Sequence, residues 1–353
     1  METTELQQEL CYLAETHMRH STATFSFGKL FAKWCLNSYV VGLVLVAAIG
    51  YAWLNRLVTD DAFITFQYSR NWVEGHGPVW NPVDAPVEGY SNFLWLIWMT
   101  IPFLLGCDAV LFAQISSLAF VVGAAWVLRQ SARATAMSVP AANGLMMAFV
   151  LNFSLLRFAT CGLETSSNVF LWVLILRALL WISATTNVKR TQLLMLSFVC
   201  LLVQMSRPDG LLIVLPTVGF ALYFLRRQSS LNLQNVICLL LPLMSILTFW
   251  LIWKINFYGE VLPNTFHAKA LHTVPRYGLI YLGLFYSSYL IVPVFALIAL
   301  RMRFIWRQRT WMDLFLVTMI TIWSAYMIYL GGDYNEFRMM LSIWPFLVFA
   351  AFR

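Results

Sequence analysis

Two adjacent carboxylates head the most polar stretch of the chain. Asp60 and Asp61 lie in VTDDAFITFQYSRNWVEGHGPVWNPVDAPVEGYSNF, residues 58–93, which follows the first long apolar run. Thr59 is a suitable helix N-cap, and acids in a first turn are favoured by the helix dipole, so helix capping is one explanation of the pair. Proton transfer is the other, because a carboxylate within hydrogen-bond reach of a hydroxyl group can act as a general base.

Short motifs further along the chain carry other side chains that could do chemistry. They are CGLETSS at 161–167, SRPDG at 206–210, YGEVLPNTFHAKA at 258–270 and GGDYNEFR at 331–338. Arg207, Lys269 and Arg338 are cations that could bind a phosphate group. For Arg207 the simpler explanation, an ion pair with Asp209 inside a turn, stays open, and Glu164 could be a helix cap.

The composition indicates a helical protein that crosses a membrane several times. Hydrophobic residues make up 60% of the 353 residues and charged residues 11%, against roughly 45–50% and about 25% in soluble domains. The formal net charge is +7. Because the basic residues are scattered beside apolar runs, as orientation signals of membrane proteins are, we expect no nucleic-acid partner.

No pattern in the sequence demands a cofactor. The cysteines and histidines lack metal-binding spacing, and no P-loop or dinucleotide fingerprint is present. The paired aspartates could hold a divalent cation, but the sequence identifies no third ligand.

Apolar runs and basic residues together predict about ten transmembrane helices within residues 37–353. The run at 91–105 is too short to span the hydrocarbon core, and its crossing would turn the Lys/Arg-rich loops outward, against the positive-inside rule. We therefore expect a cytoplasmic polar leader at 1–36 and a first extracytoplasmic loop with interfacial helices at 58–105. All the polar motifs then lie outside the cytoplasm. We expect no soluble C-terminal domain. The chain is then either a compact member of its class or a truncated one.

The first loop should begin with an amphipathic helix. Helical periodicity extends from Thr59 to about Glu74. The pattern predicts that Phe66 faces the membrane surface, whereas Tyr68 and Asn71 share the opposite, accessible side with the carboxylates.

The stretch DDAFITFQYSRNWVEGHGPVWNPVDAPVEGYSNFLW resembles the first extracytoplasmic loop of GT-C glycosyltransferases, particularly the arabinofuranosyltransferase branch, which includes the mycobacterial terminal β-(1→2) enzyme. Paired Asp, an aromatic–Arg–Asn helix, G-H-G, an Asn-Pro turn and E-G-Y follow one another as in that family. CGLET, SRPDG, YGEVLPNTFHAK and GGD followed by Arg also occur in the family's order. The resemblance covers residues 37–345. After GGD, this chain has Tyr-Asn-Glu-Phe where many relatives have a compact turn of small residues.

The resemblance implies an all-α GT-C fold and an inverting sugar transfer outside the inner (cytoplasmic) membrane of a bacterium. The donor would be a polyprenyl-phosphate sugar, arabinofuranose for example, and the acceptor an envelope glycan, a glycolipid or a pilin-like protein. Asp60 or Asp61 would be the general base. The residues that the resemblance assigns to the donor phosphate or substrate are Arg70, His76, Glu88, Tyr90, Glu164, Arg207, Asp209, Asn264, Lys269, Asp333 and Arg338.

Two alternatives remain at this point. A polytopic transporter or a flippase for lipid-linked sugars would concentrate charges inside the spans and break helices near the bilayer midplane. An inactive, structural remnant of an enzyme would keep the motifs without the activity.

Overall fold

The computed structural model describes residues 38–264, 274–289 and 310–353. Within these ranges the chain consists of helices joined by loops and contains no strand. The α-helices are α1 (Ser38–Leu54), α2 (Asp60–Val73), α3 (Phe93–Leu105), α4 (Ala109–Ala134), α5 (Val139–Val150), α6 (Phe153–Phe158), α7 (Thr165–Ala184), α8 (Arg190–Ser206), α9 (Leu211–Arg227), α10 (Leu233–Tyr258), α11 (Pro275–Ser288), α12 (Trp311–Leu330) and α13 (Trp344–Phe352). Two short 3₁₀ helices, Pro208–Gly210 and Arg338–Ser342, precede α9 and α13.

Five helices in the described ranges are long and apolar enough to cross a membrane. They are α4, α7, α9 with its preceding 3₁₀ turn, α10 and α12. Shorter apolar helices occur at Tyr39–Leu54, Phe93–Leu105, Val139–Val150 and Arg190–Ser206. The all-helical, apolar architecture indicates a membrane protein, as the composition predicts. The predicted leader at 1–36 lies outside the described residues.

The predicted amphipathic helix is confirmed as α2, with Thr59 at the N-cap and Glu74 at the C-cap. The prediction for its accessible face is wrong at two positions, since Tyr68 and Asn71 are buried. Both side chains bond to the loop that follows the helix. The Tyr68 hydroxyl donates to the carbonyl of Val87 at 2.6 Å, and the Asn71 amide donates to the carbonyl of Val79 at 2.8 Å. The loop thus covers a face that periodicity alone assigns to solvent.

The short apolar run after this loop forms α3, which packs along α2. Its 13 residues extend only about 20 Å at 1.5 Å per residue. The Ser69 hydroxyl of α2 donates to the carbonyl of Leu96 at 2.9 Å, and the Trp95 indole of α3 donates to the carbonyl of Gly162 at 3.0 Å. Helices α2 and α3 therefore form one packed unit with the CGLET loop.

The interior beneath this unit is aromatic and fully buried. Trp172 of α7 meets Trp323 of α12 edge to face, with ring centroids 4.8 Å apart, and stacks on Phe346 of α13 at 5.9 Å. The Trp323 indole donates to the carbonyl of Met339 at 2.9 Å. Because these rings join α7, α12 and α13, they hold the CGLET and GGDYNEFR motifs at a common end of the bundle.

Candidate functional site

The start of α2 is fastened to the CGLET loop. Both the backbone N–H and the hydroxyl of Thr59 donate to the carbonyl of Cys161, at 3.1 and 3.2 Å. Thr59 therefore anchors the helix to a neighbouring loop and makes no side-chain cap. Gly162 has a φ of +86°, and a Cβ placed on it would lie 2.8 Å from the Cβ of Ala62. The close approach of loop and helix needs glycine here, because any side chain would push α2 away.

The carboxylate pair remains accessible at this anchored helix end. Asp60 is exposed and Asp61 half-buried. One oxygen of Asp60 accepts the backbone N–H of Asp61 at 3.0 Å, and one oxygen of Asp61 accepts the hydroxyl of Tyr334 at 3.3 Å. Burial and the Asp61 charge raise the pKa of Tyr334, so this hydroxyl keeps its proton and donates. Two distant motifs thus meet at the carboxylates.

A buried ion network lies behind the CGLET loop. The Arg207 guanidinium donates to Glu164 at 2.7 Å and, from two of its nitrogens, to Asp209 at 3.0 Å each. The Asn92 amide donates to the second oxygen of Glu164 at 3.1 Å. Burial opposes ionisation of Glu164, but the charges of Arg207 and Arg338 more than offset it and lower the pKa of Glu164. The carboxyl group is therefore held as a carboxylate.

The GGDYNEFR motif brings Arg338 to the same region. Its guanidinium is buried and lies 3.4 Å from the Asp333 carboxylate. Glu336, in a left-handed conformation with φ of +50°, accepts the hydroxyl of Ser154 at 2.9 Å and lies 3.6 Å from Arg157. These contacts tie the turn to α6.

The cations of this region already have acidic partners. Arg207 lies between Glu164 and Asp209, and Arg338 pairs with Asp333. Arg207 uses three of the five guanidinium N–H groups in hydrogen bonds to these two carboxylates. The internal ion pair of Arg207 with Asp209, left open by the sequence, is present. The role of these cations toward a phosphate stays a prediction.

Glu88 and Tyr90, in the loop before α3, belong to a second buried group that packs against Tyr68 of α2. The Glu88 carboxylate pairs with Lys254 at 2.7 Å, with both side chains at most 5% exposed. The hydroxyls of Tyr90 and Tyr258 are 3.0 Å apart, and Tyr68 packs edge to face on Tyr90. Burial raises the pKa of Glu88, and the bond to Lys254 only partly offsets this. The group fastens the first loop to the end of α10.

The remaining predicted site residues lie apart from the carboxylate pair. Arg70 is exposed and pairs with Glu74 at 2.8 Å, and His76 is exposed. Asn264 contributes a backbone N–H to the carbonyl of Glu88 at 3.0 Å. Lys269 lies outside the described residues.

Three residues of the site are not among those that the sequence predicts: Asn92, Tyr334 and Lys254. Asn92 and Tyr334 look like ordinary loop residues, although Tyr334 directly follows Asp333 in a motif already selected. Lys254 offers a clearer signal, because a lysine near the end of a long apolar helix is costly without a partner.

Among the residues that the structure describes, no group of three or more His, Cys, Asp or Glu side chains could hold a metal ion.

Comparisons with protein-family models, with curated proteins and with solved structures find no match to this chain.

Proposed function

We propose that this protein is an inverting membrane glycosyltransferase of the GT-C type, with about ten spans, which moves a sugar from a polyprenyl phosphate to an extracytoplasmic acceptor. The single observation that carries the proposal is the position of Asp60 and Asp61. They lie accessible at a helix end anchored to CGLET through Thr59 and Cys161, and they meet the GGDYNEFR motif through Tyr334. Motifs that resemble one family in sequence order thus also meet in space.

An accessible carboxylate at a rigid helix end suits the removal of a proton from an acceptor hydroxyl. In the proposed reaction Asp60 or Asp61 accepts this proton as the hydroxyl oxygen attacks the anomeric carbon. The bond between that carbon and the phosphate oxygen breaks, and the polyprenyl phosphate leaves with the bonding electrons. Attack opposite the departing phosphate inverts the anomeric configuration. The protein needs no redox partner for this exchange.

The leaving phosphate gains negative charge, which a nearby cation stabilises. Arg207, Arg338 and Lys269 are the proposed cations. For Arg207 we propose two roles, one in the ion network and one toward the phosphate. Its hydrogen bonds to Glu164 and Asp209 fix the guanidinium and use three of its five N–H groups, so two N–H groups remain for the phosphate. In this role Arg207 presents a preorganised donor.

The proposed membrane placement follows from the charge distribution. Loops rich in Lys and Arg face the cytoplasm of a bacterial cell, and the carboxylate pair faces the outer side of its inner membrane. The donor reaches the site within the bilayer, since its prenyl chain is apolar. Arabinofuranose is the proposed sugar, and an envelope glycan, a glycolipid or a pilin-like protein is the proposed acceptor.

A transfer assay with purified full chain in lipid nanodiscs tests the proposal. The assay supplies polyprenyl-phosphate arabinofuranose and an arabinofuranosyl acceptor, and it measures the glycosylated product. Replacement of Asp60 and Asp61 by Asn, singly and together, keeps the shape of the side chains but removes the base. We expect the double variant to lose about 10²–10⁴-fold in rate, the range of general base catalysis.

Asp84→Asn is the matched control, because Asp84 is an exposed carboxylate in the same loop whose Asn81 bond an amide oxygen can still accept. It should transfer at the wild-type rate. Undiminished transfer by the double variant would eliminate both carboxylates as the base. Donor translocation is measured separately, in lipid vesicles that contain the protein. Translocation without product formation would instead favour the flippase alternative.

A further inference from the structure

A cleft of about 610 Å³ opens beside α2, apart from the carboxylate pair. The cleft is lined by Phe63, Gln67 and Arg70 of α2, by Trp80 and Asn81 of the following loop, and by Ala109 and Val110 at the start of α4. The volume falls within the range of roughly 300–1,000 Å³ that small-molecule sites occupy. The proposed transfer chemistry leaves this cleft unexplained.

The cleft lies along the same face of α2 as Asp60. Asp60, Phe63, Gln67 and Arg70 fall within an arc of about 80° at 100° per residue. All four are exposed or half-buried, so they form one accessible stripe. Gln67 lies about 10 Å from Asp60 along the helix axis. A short oligosaccharide in the cleft could therefore place its terminal hydroxyl at the carboxylates.

The lining has the chemistry of a carbohydrate site. The Trp80 indole is 52% exposed and offers an aromatic face to the C–H groups of a sugar ring. Gln67 donates one amide N–H to Asn71 at 3.3 Å, and Asn81 donates one amide N–H to Asp84 at 2.8 Å and accepts the N–H of Val83 at 3.3 Å. An amide nitrogen carries two N–H groups and its oxygen two lone pairs, so each side chain keeps a donor and an acceptor site for a sugar hydroxyl. A flat aromatic surface beside planar polar groups recognises rings that carry both C–H faces and hydroxyl edges.

The charges of the cleft favour an uncharged ligand. Among the described residues that line it, Arg70 is the only cation, and it already pairs with Glu74 at 2.8 Å. Asp108 uses a carboxylate oxygen to cap α4 by accepting the N–H of Leu111 at 2.6 Å. A phosphate group would therefore find no unpaired cation in this described part of the wall, whereas a neutral glycan needs none.

We infer that this cleft binds the neutral glycan acceptor, with Trp80 as the stacking platform and Gln67 and Asn81 as hydroxyl partners. The inference rests on the proposed glycosyltransferase function for its meaning. Its test is a binding measurement without donor, so that failure of glycan binding and failure of transfer can be told apart.

Saturation-transfer NMR on the full chain in phosphatidylcholine nanodiscs measures binding of linear arabinofuranosyl, mannosyl and glucosyl tetrasaccharides. We expect at least one of them to bind, and Trp80→Ala to weaken its affinity about tenfold. Trp80→Phe should stay within about threefold of wild type, because phenylalanine keeps an aromatic face. The control Val83→Ala changes a residue that is 90% exposed and outside the cleft, and it should bind as wild type does.

Two results would overturn the assignment. One is the absence of binding for all three saccharides. The other is binding that Trp80→Ala leaves unchanged, which would place the glycan elsewhere. Saccharide binding that Trp80→Ala weakens would support the cleft assignment even if the wild type transferred no sugar, a result that would contradict the proposed function alone. Saccharide displaced when phosphatidylglycerol replaces part of the lipid would make the cleft a lipid headgroup site and would also overturn the inference.

Discussion

Replacing Arg207 by methionine tests the buried ion network behind the carboxylate pair. The Arg207 side chain is 15% exposed, and the side chains of its partners Glu164 and Asp209 are 5% and 7% exposed. Methionine fills much of the volume but leaves two buried carboxylates without their cation. Breaking a buried pair in this way costs about 3–5 kcal/mol, because the remaining charge stays desolvated. We expect the melting temperature to fall by roughly 4–7 °C at neutral pH.

The pH dependence of this difference separates loss of charge pairing from loss of packing. In the wild type the pKa of Glu164 is lowered, so its stabilisation is present above the unfolded pKa and is lost as pH falls through the folded pKa. In Arg207→Met we expect burial to outweigh the remaining Arg338 charge and Asn92 hydrogen bond and to raise the pKa of the same group, so protonation should stabilise the variant as the pH falls. The gap in melting temperature should therefore be largest near pH 7 and shrink toward about pH 4.

Thermal unfolding followed by tryptophan fluorescence in detergent measures both effects. Arg70→Met is the matched control, since the Arg70 side chain is 60% exposed in a surface pair with Glu74 worth at most about 1 kcal/mol. Equal melting temperatures for Arg207→Met and wild type at neutral pH would refute the reasoning. So would a gap that stays constant between neutral and acid pH, because it would indicate lost packing alone.

One single variant and one double-mutant cycle test how the first loop is held. Gly162→Ala places a Cβ at a φ of +86° and 2.8 Å from the Cβ of Ala62, so we expect a loss of about 1–3 kcal/mol in thermal unfolding together with reduced sugar transfer. Unchanged unfolding and transfer would contradict the anchoring of α2. Glu88→Leu and Lys254→Met should each destabilise the protein by about 3–5 kcal/mol, whereas the double variant should recover at least about 2 kcal/mol of the sum. Additive losses in this cycle would show that the buried pair is not coupled.

Local patterns in the sequence suffice for the class of protein and for the helix that carries the carboxylates. Membrane segments are read from apolar runs because lipid admits only helices whose backbone bonds are satisfied internally. The helix α2 is predicted from a cap at Thr59 and from period-3.6 spacing as far as Glu74. The structure confirms both ends of the helix, although the Thr59 side chain bonds the CGLET loop and does not cap the helix. These signals act between residues a few positions apart.

Tertiary structure decides which side of α2 is accessible and which charges pair. Tyr68 is buried because the chain returns from residue 87 to cover it, and periodicity contains no information about such a return. Glu164 meets Arg207, Asp61 meets Tyr334, and Glu88 meets Lys254 across separate helices and loops. A charged side chain in the sequence is equally compatible with capping, pairing or binding, because its electrostatic energy depends on burial and on neighbours brought close only by folding.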